Sequence, residues 1–106
     1  MRRGVAARRR TLMVHLYVPG STSTQITSTH RSPRFGFVVS KAVGNAVVRH
    51  AVTRRLRQVC AMRAHTLPDG ACVVVRAFPP AATATSAELD ADLCAALEKA
   101  HGRLQR

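Results

Sequence analysis

The most informative absence in this sequence is that of acidic side chains in its first two thirds. The chain has 106 residues, with 17 Lys and Arg against 5 Asp and Glu, which gives a formal net charge of +12. Every carboxylate lies at or after Asp69, so residues 1–68 carry thirteen Arg or Lys and no acidic side chain. A folded segment without counter-charges repels itself unless a polyanion neutralises it. Nucleic acid or an anionic membrane is therefore the expected partner.

Long apolar runs are also missing, which argues against the membrane. No stretch approaches the roughly 18 residues of a spanning helix, and the basic stretches lack the Trp, Phe and Leu face of interfacial helices. The opening MRRGVAARRR has no apolar stretch long enough for a secretory signal. An organelle transit peptide and a codon bias towards Arg and Ala are alternatives, but codon bias does not explain the missing acids. We predict a cytoplasmic protein without membrane contact.

Patterns typical of disulfides and metal sites are absent as well. Cys60, Cys72 and Cys94 are odd in number and widely spaced, without a C-x-x-C pair. We interpret them as small buried apolar residues in a reducing compartment. The five His residues show no ligand spacing either. The sequence therefore predicts no metal bound by this chain, and nothing in it indicates a small-molecule substrate.

The order of apolar runs and turn signals predicts one α+β domain, with helices packed on one small sheet. A chain of this length holds a single core at most. We expect residues 1–10 to be a basic arm that forms no stable element alone, and residues 11–104 to form the globular part. Residues 19–33 are rich in Ser, Thr, Gly and Pro and predict an exposed loop, with a short strand around Ile26 as an option. The predicted strands are Thr11–Val18, Phe35–Ser40 and Ala71–Ala77.

Capping residues mark the start of the first predicted helix. Gly44 can take a turn with positive φ, and Asn45 is a favourable N-cap for a helix beginning at Ala46. This helix is expected to end near Ala64, before the turn formed by residues 68–70.

A capping box marks the second predicted helix. Thr85 and Glu88 have the spacing at which the hydroxyl and the carboxylate each accept the other's backbone N–H. The apolar stripe of this helix consists of Leu89, Leu93, Ala96, Leu97 and Leu104.

The first helix carries a basic face opposite an apolar one. On a wheel of about 100° per residue, an apolar arc is expected to face the sheet. The arc consists of Val48, Val52, Leu56 and Val59, with Met62 beside it. His50, Arg54 and Arg57 lie on the opposite side, and Arg49 and Arg55 flank the arc.

Arginine on this face favours binding of nucleic acid over the alternative of a merely solvated surface. Its planar fork donates two hydrogen bonds to phosphate and also stacks on bases. The helix offers no Asp or Glu one turn away to form ordinary salt bridges. The preceding loop and strand are basic too, through Arg31, Arg34 and Lys41.

Residues 34–58, RFGFVVSKAVGNAVVRHAVTRRLRQ, resemble the signature of the ribonuclease P protein family. In that signature a strand ends in Val-Ser-Lys, Gly-Asn follows, and a helix begins with closely spaced arginines. The resemblance extends to TLMVHL near the start and to GACVVVRAFPPAA, and it covers roughly residues 8–100. It implies an αβββαβα sandwich in which the basic helix lies in a left-handed crossover between parallel strands.

The resemblance also implies an activity, the removal of the 5′ leader from precursor tRNA by a ribonucleoprotein endonuclease. The catalytic RNA subunit would supply the catalytic metal site, so Mg²⁺ is expected to be bound mainly by RNA and not by this chain. The protein would bind that RNA through the basic helix and the single-stranded leader in a cleft beside it. We therefore expect no catalytic residue in the protein, and we expect the catalytic RNA and precursor tRNA as partners.

The resemblance and the basic residues together give a set of candidate site residues. The RNA-binding candidates are Arg34, Ser40, Lys41, Asn45, Arg49, His50, Arg54, Arg55, Arg57 and Arg76. The candidates for the leader cleft are His15, Phe35 and Phe37.

The sequence departs from the family pattern at several positions. His50, Ala51 and Thr53 stand where the motif has Asn, Arg and often Lys, and His15 stands where the family often has an aromatic residue. The family's first helix, with its cleft-lining Phe residues, has no counterpart here. We therefore expect Met1 to be an internal or reassigned start. We also expect exposed sheet residues where that helix would lie, namely Val14, Leu16, Phe35 and Phe37.

Three other classes of protein are alternatives, and each predicts different sequence features. A stand-alone nuclease would need an acid–base set, for which His15, His50, Lys41 and Asp69 are the available groups. A helix-turn-helix DNA reader needs a helix just before the basic helix, where a strand is predicted. A ribosomal protein is compatible with the composition, and only residues 34–58 argue against it.

Overall fold

The computed structural model describes residues 3–18 and 33–104. Its elements are β1 (Arg3–Arg8), β2 (Leu12–Val18), β3 (Arg34–Val38), α1 (Ala46–Arg63), β4 (Cys72–Ala77) and α2 (Ser86–Leu104). Short 3₁₀ turns follow α1 and β4, at Ala64–Thr66 and Pro79–Thr83. The optional strand around Ile26 lies outside the described residues.

The four strands form one mixed sheet in the order β1-β2-β4-β3. β2 pairs antiparallel with β1 and β4, whereas β3 and β4 are parallel. Parallel neighbours need a crossover, which α1 provides. The α+β prediction is confirmed, and the order βββαβα is the one that the family resemblance implied without its first helix. The left-handed sense of the crossover stays a prediction.

Residues 1–10 are more than the basic arm that the sequence predicts, because Arg3–Arg8 is an edge strand, although one that forms by pairing and not alone. It pairs with β2 along its whole length, and α2 packs against it. Ala7 is only 1% exposed, and the Arg103 guanidinium of α2 donates to the Ala6 carbonyl. Small apolar residues that cannot hold a strand alone do so once a neighbouring strand and a helix supply their contacts.

Both helices cover the same face of the sheet, so the expected exposure of four sheet residues is wrong. Val14 and Leu16 are 0% exposed, and Phe35 and Phe37 are half-buried against the core. The core on this face is completed by Val73 and Val75 from β4, Val52 and Leu56 from α1, and Leu89 and Leu93 from α2. Within residues 3–18 and 33–104, no helix covers the opposite face of the sheet.

Helix α1 begins as predicted, with the Asn45 side chain accepting from the Val48 N–H at 2.9 Å. Gly44 does not take a positive φ; among the described residues only Gly70 does, at 76°. Glycine is needed at position 44 for space instead, because a Cβ there would lie 2.7 Å from Cγ1 of Val48.

The buried side of α1 is rotated slightly from the predicted arc. Cys60 is buried with Val52, Leu56 and Val59, and burial raises the pKa of its thiol to about 12. Met62, predicted beside the arc, is 60% exposed. The reason is that α1 packs against α2 as well as against β3, so the residues it buries include Cys60 beyond the predicted arc.

Carboxylates of α2 form hydrogen bonds and ion pairs with the basic segments of the chain, and Asp92 is the first of them. Thr11 is fully buried, and both its N–H and its hydroxyl donate to Oδ2 of Asp92, at 3.1 and 2.6 Å. Burial alone would raise the pKa of Asp92, but the bonds from Thr11 and the charges of Arg9 and Arg10 together hold the pKa below its ordinary value. Asp92 thereby joins the β1–β2 turn to α2.

A second carboxylate joins the two helices. Nε and Nη2 of Arg63 in α1 donate to the two oxygens of Asp90 in α2, at 2.9 and 2.7 Å. These bonds hold the pKa of Asp90 below its ordinary value against the opposing effect of burial. The Thr85–Glu88 capping box at the start of α2 forms as predicted.

We expect Thr11→Val to lower the free energy of unfolding by about 2 kcal/mol, because a buried hydrogen bond to a charged group is lost without a change in shape. Urea unfolding measures this difference. Thr11→Ser, which keeps the hydroxyl, is the control and is expected to lose less. Equal stability of Thr11→Val and the natural protein would contradict the role given to Asp92.

Stability is also expected to fall at acidic pH. A carboxyl whose pKa is depressed in the folded state stabilises the fold above its unfolded pKa, about 3.9 for Asp, and loses this contribution as the pH falls through the folded pKa. Thermal unfolding between neutral and strongly acidic pH tests this. The Asp90→Asn and Asp92→Asn variants are expected to be less stable at neutral pH and to lose less on acidification; an unchanged acid dependence in both would refute the assignment.

Candidate nucleic-acid interface

The outward side of α1 presents the basic residues predicted from the sequence. His50, Arg54 and Arg57 are exposed, whereas Arg49 and Arg55 are half-buried at its borders. The helix contains no acidic residue, so no carboxylate of its own neutralises this side. The guanidinium charges are left for an external anion.

Arg49 has a buried donor that the fold does not satisfy. Its Nε is the one buried side-chain nitrogen or oxygen without a hydrogen-bond partner in the described part of the chain. A buried donor left unpaired costs about 1–3 kcal/mol. Rotation of the Arg49 side chain towards solvent would expose this donor to a phosphate oxygen, which would satisfy it with a charge-assisted bond.

The approach to α1 forms a tight turn. The N–H groups of Val43 and Gly44 donate to the carbonyls of Ser40 and Lys41, at 3.0 and 3.2 Å. Ser40 and Lys41 are both exposed and precede the positive end of the helix dipole, which favours anions. Asn45 is engaged in the cap, so the structure gives it a positioning role at this end.

The uncovered face of the sheet forms a second surface. Strand register aligns its side chains in three rows that cross all four strands. The rows, read from β1 to β3, are Gly4-Tyr17-Cys72-Arg34, Ala6-His15-Val74-Gly36 and Arg8-Met13-Arg76-Val38. We call this the open sheet face. Its charged residues are three arginines, with no acidic residue among the twelve.

The middle row of the open sheet face contains no Arg or Lys. Ala6 and Gly36 stand at its two ends, and the exposed His15 and Val74 lie between them. The three arginines belong to the rows on either side, so cations flank the middle row on both sides.

The structure separates the three candidates for the leader cleft. His15 lies on the open sheet face, but Phe35 and Phe37 pair with Val73 and Val75 and share their helix-covered face. The two rings are stacked, with centroids 6.5 Å apart. His15 and the two Phe residues therefore do not line one cleft.

The predicted RNA-binding residues fall on two surfaces that meet along β3. Arg34 and Arg76 lie on the open sheet face, and the remaining eight belong to α1 and the turn before it. Because β3 is an edge strand that α1 contacts, it borders both surfaces. Four of the five acidic residues belong to α2, and the fifth, Asp69, lies in the turn before β4.

Sequence reasoning missed two residues of the open sheet face. Tyr17 lies two residues beyond His15 on β2, and Arg8 pairs with Met13 from β1. The alternation along β2 was a sufficient signal for Tyr17, since residues two apart share a face. Arg8 carried no such signal, because β1 was not predicted.

A model of the Ribonuclease P family matches residues 1–101. The chain belongs to the ribonuclease P family. The ribonuclease P protein component of Corynebacterium diphtheriae is 50% identical over 99 residues, which cover 93% of this chain and 82% of that protein. The component from Streptomyces griseus is 52% identical over 103 residues, covering 96% and 83%.

Solved ribonuclease P proteins share the fold. The Staphylococcus aureus protein matches with a TM-score of 0.70 at 24% identity, covering 92% of this chain and 81% of that one. The Thermotoga maritima protein matches with a TM-score of 0.66 at 17% identity, covering 87% and 81%. These likenesses confirm the fold predicted from residues 34–58.

Membership in this family confirms that the chain is a protein component of a ribonucleoprotein endoribonuclease, which acts in tRNA processing. It also implies that the chain associates with an RNA subunit. Nothing among the relatives favours a ribosomal protein. Within the described residues, no helix has both the length and the apolar character needed to cross a membrane.

Replacement of Arg49, Arg54 and Arg57 by Ala is expected to weaken RNA binding and flatten its salt dependence. Each lost phosphate contact should reduce the slope of log affinity against log salt by about one. Filter binding across a salt series measures this. Lys99→Ala, which removes one charge from the exposed side of α2, is the control. An unchanged slope in the triple variant would exclude α1 as the RNA-binding surface.

Ala51→Arg is expected to tighten binding to the catalytic RNA. Ala51 is half-buried on α1, and an Arg there adds a phosphate-binding group while keeping helix propensity high. Affinity and thermal unfolding are measured together. Equal or weaker affinity with normal unfolding would show that position 51 does not face the RNA.

Proposed function

We propose that this chain binds the catalytic RNA of ribonuclease P through α1 and the turn before it, and the 5′ leader of precursor tRNA across the open sheet face. The observation that carries the proposal is the presence of two acid-free basic surfaces on one small domain, joined along β3. RNA offers a continuous polyanion that can neutralise both surfaces at once.

The open sheet face suits a single strand better than a duplex. Its middle row carries no Arg or Lys, while Arg8, Arg34 and Arg76 in the rows on either side offer cations to the phosphates of an extended chain. Tyr17 and His15 are the flat side chains available there for base stacking. We therefore expect leader binding to depend mainly on the RNA backbone and to be tolerant of sequence.

Cleavage itself is assigned to the RNA. The groups that a protein nuclease would need are dispersed, because His15 lies on the open sheet face whereas His50 lies on the outward side of α1. The described residues also hold no cluster of three His, Cys, Asp or Glu side chains suited to a metal ion. In this proposal Mg²⁺ belongs to the RNA, and the protein contributes binding and orientation. We place the complex in the cytoplasm.

Reconstitution with the catalytic RNA tests whether the RNA cleaves the substrate and the protein contributes only binding. The protein alone is expected not to cut precursor tRNA, and addition of the protein to the RNA is expected to raise kcat/KM for precursor tRNA. Cleavage by the purified protein without RNA would overturn the proposal in favour of a stand-alone nuclease.

A triple variant separates the two surfaces. His15→Ala with Tyr17→Ala and Arg76→Ala should weaken the complex for precursor tRNA while leaving affinity for the catalytic RNA and for mature tRNA unchanged, since mature tRNA has no leader. The Arg49, Arg54 and Arg57 triple variant is the matched comparison, with the opposite expectation for the catalytic RNA. An equal loss for precursor and mature tRNA would contradict leader binding at this face.

A further inference from the structure

Phe37 and Arg57 form a contact that the family resemblance did not suggest. Phe37 lies on the edge strand β3 on the helix-covered side, half-buried against the core. The Cζ atom of Arg57, on the next element of the chain, lies over the Phe37 ring at 6.0 Å from its centroid. A guanidinium over a ring face is held by the ring quadrupole.

The setting of Arg57 distinguishes it from the other exposed arginine of α1. The Phe37 ring lies nearly parallel to that of Phe35, at an interplanar angle of 11°, but Arg57 lies over the Phe37 ring. Arg57 has no acidic partner in the described part of the chain. Arg54 is exposed at the middle of α1 and shows no ring contact among the described residues.

We infer that Phe37 is a positioning residue for RNA binding, which holds the guanidinium of Arg57 in a fixed plane at the border between α1 and the sheet. The inference rests on the proposed binding of RNA by α1. The Arg57 guanidinium lies over the ring at the outer range of a cation–π contact, and its N–H groups are left for phosphate. A side chain held before binding loses less conformational freedom when it binds.

If Phe37 only orients Arg57, then removal of the ring and removal of the guanidinium should affect RNA binding differently. Loss of the ring leaves the charge of Arg57 in place, so the salt dependence of RNA binding should not change. Loss of the guanidinium removes both the charge and the planar fork. Lysine keeps the charge but cannot supply the fork or stack in the same way, so Arg57→Lys should resemble loss of the ring.

The test is a double-mutant cycle on the full chain with the catalytic RNA, using Phe37→Leu, Arg57→Ala and the pair. Phe37→Leu is expected to weaken affinity about two- to fivefold, the range of an exposed cation–π contact, with an unchanged salt slope. In the Arg57→Ala background the same change should have no further effect. Phe35→Leu is the matched control, since it removes a neighbouring ring of the same strand that carries no arginine. Phe37→Tyr should restore affinity.

Each other outcome overturns the inference. Equal losses from Phe37→Leu with and without Arg57, or equal losses from Phe35→Leu and Phe37→Leu, would show that the ring acts only on the fold. Arg57→Lys leaves the core untouched, so natural affinity in that variant would overturn the inference even if Phe37→Leu failed to fold. No effect of Arg57→Ala would remove Arg57 from the interface, whereas the Arg49 and Arg54 variants would still report on α1.

Discussion

Segregation of charge is the constraint on which the rest of this structure depends. The carboxylates come late in the chain, and the fold places four of the five on α2. Two of them are engaged at contacts within the domain, Asp92 with Thr11 and Arg9 at the β1–β2 turn and Asp90 with Arg63 at the α1–α2 contact. Neither α1 nor the twelve residues of the open sheet face include an acidic residue, so both surfaces keep their positive charge.

Because α1 and α2 both pack on one face of the sheet, the other face is left open in the described part of the chain. Two helices are enough to bury one face of four strands, and the core on that face is closed by Leu and Val side chains. The other face then carries small residues, a His and arginines in aligned rows. A surface of this kind does not destabilise the monomer in water, since its exposed apolar residues are single and separated by polar ones. It stays accessible to a single strand of RNA.

The position of β3 links these two properties. As the edge strand nearest α1, it sends Arg34 to the open sheet face and Phe37 to the helix-covered side, where Arg57 lies over the ring. Residues an odd number of positions apart on a strand, such as Arg34 and Phe37, lie on opposite faces. This alternation lets one short strand border both of the surfaces proposed to bind RNA.

The sequence by itself determined the class of fold, the basic helix and its caps, and the family, because each depends on local patterns that can be counted. The residues after Gly44 show this, since an N-cap, an apolar arc and a row of arginines are all defined within one helix. Tertiary structure alone decided that residues 3–8 form a strand, since their apolar residues are stabilised by β2 and α2 and not by their own neighbours. It also decided that Phe35 and Phe37 are parted from His15, because the face that a strand residue occupies depends on the register of its pairing with β4. A one-residue shift in that register would have reversed the assignment. Alternation within β3 groups Phe35 with Phe37, but only the pairing of the strands relates them to His15 on β2.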